Sequence, residues 1–480
     1  MRLLAFTGVA IFSGLGLGWT LLHLVLNRES LGRVFHLVLC AGMGWGGLAL
    51  VGFYWMLAGG RLGLSVVLAV TLAGWVGLLL LRRSRQRTKP EKSARFSSVD
   101  IFQLGLIGLG VLFAFVLAVS KPPDTWDAVA NWDFKARVLF QERTLYTDSL
   151  LPGDESSARV HPRPRHALGW PLLAAGYSSL VGGYDDRALP IMTAIMFALL
   201  LGAIYGAHRQ IRTQSLSLFA CVLLVCIPFL YYGSLFRMLL IGGKKSNVLN
   251  GNADLPLAFF FFLGGTALYF WMRENSSRWL VASALFMTFG AYIKNEGLAL
   301  YVVVLIVTAA YSAVQLRKKF LRSVSIYAGV SLPLLAPWLY FRTLLPLEPA
   351  EERMLFDSAH FGLMLDQLPT MVGFFFREAA NVTHWGLLWY LLPIAMIGYR
   401  RTLVRTEVRY VGLTLLTGLG VYALALAAAP VGDLGRAFFT NRTVGRLLFH
   451  FAPITVFFLM GLIWPSDHAE TSNPDLEQQS

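Results

Sequence analysis

The sequence predicts an all-α polytopic membrane protein of about thirteen transmembrane helices, with an interfacial helical loop on the outer side after the fourth. Hydrophobic residues make up 56% of the chain and charged residues only 14%, with a mean hydropathy of +0.58, whereas soluble domains carry roughly a quarter charged residues. Apolar runs that can cross about 30 Å of hydrocarbon at about 1.5 Å per residue recur along the chain. The formal net charge of +14 sits in short loops between those runs. That is the positive-inside pattern of a membrane topology, not the basic face of a nucleic-acid binder. Cys40, Cys221 and Cys226 all fall within apolar runs, so they suggest neither a disulfide framework nor a zinc site.

The first three spans are expected over residues 3–26, 34–57 and 62–81. The first lacks a small-residue cleavage site and is followed by further spans, so it reads as a span and not as a removable leader. RRSRQRTKPEKSAR follows Leu81 and is the longest charge run, which places this linker on the cytoplasmic side. A fourth span over 101–120 then leads outward to a long polar loop at 121–187. Nine more spans are expected over 188–206, 216–236, 255–271, 279–293, 298–314, 324–345, 384–399, 410–429 and 447–464. Alternation puts HRQIR (from His208), RENSSR (from Arg273), RKKFLR (from Arg317) and YRRTLVR (from Tyr399) inside, and all four are basic. The chain therefore divides into a three-span extension with its linker (1–100), a membrane domain (101–464) and a polar tail (465–480) expected to be a disordered cytoplasmic end.

On this map five polar pieces share the outer face. They are the 121–187 loop, RMLLIGGKKSNVLNGNAD from Arg237, the KNEG turn at Lys294, the 346–383 loop and VGDLGRAFFTNRTVGR from Val431. In WDAVANWDFKARVLF, Ala128, Asn131, Lys135 and Val138 fall on one helical face, with Trp126, Trp132 and Phe140 placed to seat the helix in the interface. Asp127 lies at its first turn, where the helix dipole alone also explains a carboxylate. Arg237, Lys244, Lys245, Lys294 and Arg446 are cations at outer span ends, against the positive-inside tendency, and are candidates for holding a phosphate. Their bland alternative is snorkelling to headgroups. His161, Arg163, Arg165 and His166 in HPRPRH form a second basic group, equally suited to lipid headgroups. Asp254 reads as a site residue or a helix cap, and Glu296 as a site residue or the ion-pair partner of Lys294. Arg442, Arg446 and His450 share one helical face.

An acidic outer loop, an amphipathic helix ending near KAR, the HP…WPLL segment, GNADLPLAFF and KNEGLAL follow one another along the chain. In that order they resemble the GT-C superfamily of membrane glycosyltransferases, in its protein O-mannosyltransferase and aminoarabinose transferase branch. The likeness covers residues 101–464. It departs from the family in the three leading spans and in having WDAVANWD where the family has an acidic pair.

The resemblance implies inverting transfer of a sugar from a polyprenyl-phosphate donor to a glycan, lipid or protein acceptor at the outer face of a bacterial inner membrane. Asp127 is then the first choice for the base, followed by Asp124 and Asp133. Those three aspartates offer the oxygen ligands a divalent cation would use, but Arg and Lys alone can stabilise a departing phosphate, and no metal is assigned. Two rivals remain, a lipid-linked sugar transporter or flippase and an O-antigen polymerase or ligase-type enzyme. The first should carry its ionisable groups at mid-membrane in broken helices, and the second should keep its large polar loop late in the chain.

Overall fold

The computed structural model describes residues 2–26, 31–81, 96–151, 163–231, 248–346, 358–428 and 433–463. The basic linker, the polar tail, His161, Arg237, Lys244 and Lys245 lie outside the described residues. Within them the chain is helical, and no strand is present.

The first four helices are α1 (Arg2–Leu26), α2 (Arg33–Leu57), α3 (Leu64–Leu81) and α4 (Ser98–Ser120). A π-helical turn, Ala128–Asp133, then runs into α5 (Phe134–Glu142), and α6 (Gly169–Val181), α7 (Ala188–Arg209), α8 (Gln214–Val225) and the one-turn α9 (Pro228–Tyr231) follow. The second half contains α10 (Asp254–Glu274), α11 (Ser277–Ile293), α12 (Asn295–Tyr311), α13 (Phe320–Leu344) and α14 (Ser358–Ala379). It closes with α15 (Val382–Trp385), α16 (Leu388–Gly398), α17 (Thr406–Ala427) and α18 (Asp433–Ile463).

Eight helical stretches among the described residues are long and apolar enough to cross a membrane: Leu4–Leu26, Arg33–Leu57, Ser98–Ser120, Ala188–Arg209, Asp254–Glu274, Asn295–Leu344, Thr406–Ala427 and Thr443–Ile463. The 50-residue stretch Asn295–Leu344 doubles back on itself. Tyr301 Oη meets Ser331 Oγ at 2.8 Å, whereas a straight helix would hold residues 30 apart at about 45 Å. It therefore supplies both the 298–314 and the 324–345 spans.

Other expected spans come out shorter. The 216–236 run yields only α8 before Pro228 opens a new turn, and 384–399 is split between α15 and α16 at Gly386, whose φ of +56° suits glycine. Two helices also form where loop was expected. Pro171 sits in the first turn of α6, where its missing N–H costs nothing, and Gly169 lets this helix approach the Tyr292 carbonyl; a Cβ there would lie 2.5 Å away. In the expected 346–383 loop, Met364, Leu368, Met371 and Phe375 of α14 recur at helical spacing and pack on the core.

The up-and-down alternation is visible at both ends of the bundle. Asp100 at the start of α4 accepts from Ser215 at the start of α8 at 2.5 Å. Arg212, just past α7, donates to Gly461 near the end of α18 at 3.4 Å, and Tyr311 of α12 donates to Met272 of α10 at 3.2 Å. These contacts collect the basic loops at one end. The opposite end receives the segments after α4, before α10 and between α11 and α12.

The three leading helices are built into the body. Phe35 of α2 packs on Phe270 and Trp279, and Phe53 packs on Tyr292 and Trp338. α1 and α2 cross at glycines, as membrane helices do when small residues admit close backbone contact. A Cβ on Gly44 would stand 1.7 Å from the Gly14 carbonyl oxygen, while one on Gly52 would meet nothing within 4 Å. Gly44→Val should therefore force the two backbones apart and destabilise the protein by about 3 kcal/mol or more, with Gly52→Val close to wild type. Thermal unfolding in detergent, followed by tryptophan fluorescence, measures the difference.

Candidate active site

Pro122 and Pro123 follow α4, and the chain leaves the helix there in extended form. Asp127 stands immediately before the π-helical turn. Its Oδ1 accepts a hydrogen bond from Asn131 Nδ2 on that turn, and its Oδ2 accepts from Arg446 Nη2 of α18 at 2.5 Å. Arg446 continues inward, with both Nε and Nη2 at 2.7 Å from Asp254 Oδ2.

Asp254 is the first residue of α10, and its Oδ1 receives Lys294 Nζ at 2.8 Å and His450 Nε2 at 3.1 Å. The preceding cap position is Ala253, with no side-chain cap bond, so Asp254 serves the ion network and does not cap its helix. Lys294 occupies an extended break between α11 and α12, at φ −154°, and its ammonium also reaches Glu296 Oε1 at 2.7 Å. On α18, His450 follows Arg446 by one turn, and its Nδ1 lies 3.0 Å from Tyr422 Oη of α17.

The result is one connected network that ties the outer loop to α10, the α11–α12 break, α17 and α18. Asp254 and His450 are wholly buried, and Lys294 is 4% exposed. Ionisable side chains removed from water in this way persist only if paired, and in membrane segments they mark function by default. Asp127 lies nearer the edge, its side chain 18% exposed. Burial would raise its carboxyl, but Arg446 and Lys294 outweigh that and hold it below the ordinary carboxylate value. It is therefore ionised, and a weak base while Arg446 stays in place.

The remaining candidates lie elsewhere. Asp124 pairs with Lys121 at 2.8 Å and accepts from Asn250 Nδ2 at 2.5 Å, which fastens the loop to the turn before α10. Asp133 takes Arg137 at 3.0 Å and the Tyr184 hydroxyl at 2.7 Å, and burial raises its carboxyl above the ordinary value. The three aspartates do not converge as metal ligands, and no group of three His, Cys, Asp or Glu among the described residues could hold a metal ion.

The expected interfacial helix is more deeply seated than its sequence suggests. Ala128, Asn131, Lys135 and Val138 are all buried, and the segment carrying Pro164 and His166 folds against Lys135. Lys135 Nζ donates to the carbonyls of Pro164 and His166 at 3.3 and 2.8 Å. Trp132 is buried as well, whereas Trp126 remains outside with Arg163 over its ring at 5.3 Å. Arg165 donates to the Leu345 carbonyl through Nε and Nη2, each at 3.0 Å. His166 packs near Trp132, ring centroids 6.1 Å apart.

An apolar cavity of about 520 Å³ opens on the other side of α18, lined by Phe375, Trp389, Leu416 and Leu448 among others. Leu448 stands midway between Arg446 and His450 in sequence, so α18 separates the ionic network from an apolar chamber. Behind Gly445, Glu378 accepts from His384 Nδ1 at 2.5 Å, a pair that sequence reasoning did not single out.

Removing one partner from a buried pair leaves an uncompensated charge and costs about 3–5 kcal/mol, whereas a half-exposed pair such as Lys121–Asp124 is worth about 1 kcal/mol or less. Asp254→Asn should therefore lower stability far more than Asp124→Asn. Asp254→Asn combined with Arg446→Gln should cost less than the sum of the two single changes. Denaturant unfolding of the four variants decides this. Compared with known proteins, the chain matches no family model, no curated protein and no solved structure.

Proposed function

We propose that the chain is a membrane glycosyltransferase that moves a sugar from a polyprenyl-phosphate donor to a hydroxyl or amine acceptor, with inversion, at the outer face of a bacterial inner membrane. The observation that carries this reading is the Asp127–Arg446 contact. A carboxylate from the loop after α4 is held at the edge of a buried network that contains a guanidinium and an ammonium.

The reaction makes two demands. An acceptor proton needs a base, and a departing phosphate needs positive charge aimed at it. Asp127, Arg446 and Lys294 match them. Three carboxylates (Asp127, Asp254, Glu296) face two cations (Lys294, Arg446), so with His450 neutral the resting cluster carries one excess negative charge. A phosphate therefore enters by displacing a carboxylate from Arg446. Asp254 is wholly buried and bound from several sides, so Asp127 is the one that yields.

As Arg446 turns to the phosphate, Asp127 loses the charge that kept it a weak base. It then takes the acceptor proton while the bond from the acceptor to the anomeric carbon forms. The bond from that carbon to the phosphate oxygen breaks, and its electron pair leaves with the phosphate. The apolar cavity beyond Leu448 offers room for part of the polyprenyl chain. A transporter fits less well, since the network sits at the first residue of α10 and at a helix break, where the polar loops meet, and not inside broken helices at mid-span.

Purified protein in lipid, supplied with labelled undecaprenyl-phosphate sugars and envelope acceptors, should transfer label. Asp127→Asn should bind donor and lose about 10²- to 10⁴-fold in rate. A variant that keeps its rate removes Asp127 from the role of base. Movement of labelled lipid across the bilayer without transfer favours the transporter.

A further inference from the structure

Three polar side-chain atoms beside Asp127 are buried and have no hydrogen-bond partner among the described residues: Asn131 Oδ1, Trp132 Nε1 and His166 Nδ1. Such atoms are uncommon, since each forfeits the water it left, and each calls for an explanation. These three belong to one neighbourhood. Asn131 already donates its amide to Asp127, Trp132 is the next residue, and His166 packs near the Trp132 ring. The wall is held rigidly, by Lys135 on the His166 carbonyl and by Asn295 Oδ1, which accepts from the Ala167 N–H at 3.2 Å. Asn295 adjoins Glu296, so the wall abuts the ion network. The π-helical turn that carries Asn131 and Trp132 is a form frequent at functional sites.

We infer that Asn131 Oδ1, Trp132 Nε1 and His166 Nδ1 form a subsite for the hydroxyl groups of a neutral sugar ring. Their chemistry selects that class of ligand. A carboxamide oxygen only accepts, an indole N–H only donates, and an imidazole nitrogen does either according to tautomer. Adjacent hydroxyls, each both donor and acceptor, can satisfy all three. A phosphate offers only acceptors and would be repelled by Asn131 Oδ1 and by the Asp127 and Glu296 carboxylates. Burial, reinforced by Lys135, pushes the His166 imidazole down to about 3, so it is neutral at working pH. The inference rests on the transferase reading and assigns the part of that site which holds the transferred sugar.

The test is binding to the full-length protein in nanodiscs, comparing undecaprenyl phosphate with undecaprenyl-phosphoryl glucose, galactose, mannose and arabinose. At least one sugar-bearing lipid should bind more tightly than the bare lipid. Trp132→Phe, which keeps an aromatic ring but loses the N–H, should weaken that lipid about three- to tenfold and leave undecaprenyl phosphate unchanged. His166→Ala should do the same, with rescue by His166→Asn, whose amide nitrogen falls near the place of Nδ1. If no sugar-bearing lipid outbinds the bare one, or if these variants shift both lipids equally or neither, the subsite assignment falls while the lipid-phosphate reading stands. If neither undecaprenyl phosphate nor any of the sugar-bearing lipids binds, the transferase reading falls and takes the subsite with it.

Discussion

The Asp254 carboxylate is the interaction on which the site end of the bundle depends. It is wholly buried at the first turn of α10 and receives a guanidinium, an ammonium and an imidazole from two other elements. A lone carboxylate there would be costly enough to exclude the fold. Because the charge is paired on both oxygens, α10, the break between α11 and α12, and α18 are fixed relative to one another. Apolar packing alone holds membrane helices together without selecting one register so sharply, since lipid tails are as apolar as the side chains.

From that anchor a gradient of burial runs outward. Lys294 and Arg446 are held by Asp254 and extend to Glu296 and Asp127, which are more exposed. The deep part of the network is a scaffold, and the edge is where exchange is cheap. An anion competing for Arg446 has to displace only Asp127, while Asp254 keeps the guanidinium oriented. On the proposed function, the contact that restrains Asp127 as a base would also release it, which joins the stability of the fold to the chemistry proposed for it. α18 adds the third element, with the ionic network on one side and an apolar cavity on the other. The proposed donor, an amphipathic lipid phosphate, would need that combination.

Much of the fold was legible from hydropathy, because a span announces itself by length and by the lack of charge. The alternation of basic and polar loops ordered the ends correctly in the contacts now seen at Asp100, Arg212 and Tyr311. Span lengths were less legible, since Pro228 and Gly386 interrupt helices that composition alone runs through, and α14 is amphipathic, with His360, Asp366, Gln367 and Pro369 breaking the apolar run that would have announced a span. Individual candidate residues were legible for a physical reason: an ionisable side chain such as Lys294 beside an apolar run has few inexpensive explanations. Their partners were not. Asp127 and Arg446 are 319 residues apart, and no spacing rule links them. Nor does sequence tell whether Asp254 caps its helix or binds cations. Nothing in the sequence pairs Asp133, the third choice for the base, with Tyr184 and Arg137, which occupy its carboxylate, and Asn250 and Tyr422 offered no signal beyond residue type.

The most direct test of the network is the ¹³C–¹⁵N dipolar coupling between the Asp127 carboxylate and the Arg446 guanidinium, measured by solid-state NMR on the full-length protein in lipid. A strong coupling that weakens when undecaprenyl phosphate is added is the expected result. No coupling in the protein alone would mean that the loop after α4 does not meet α18, and the convergence on which both the fold of this end and its chemistry rest would be wrong.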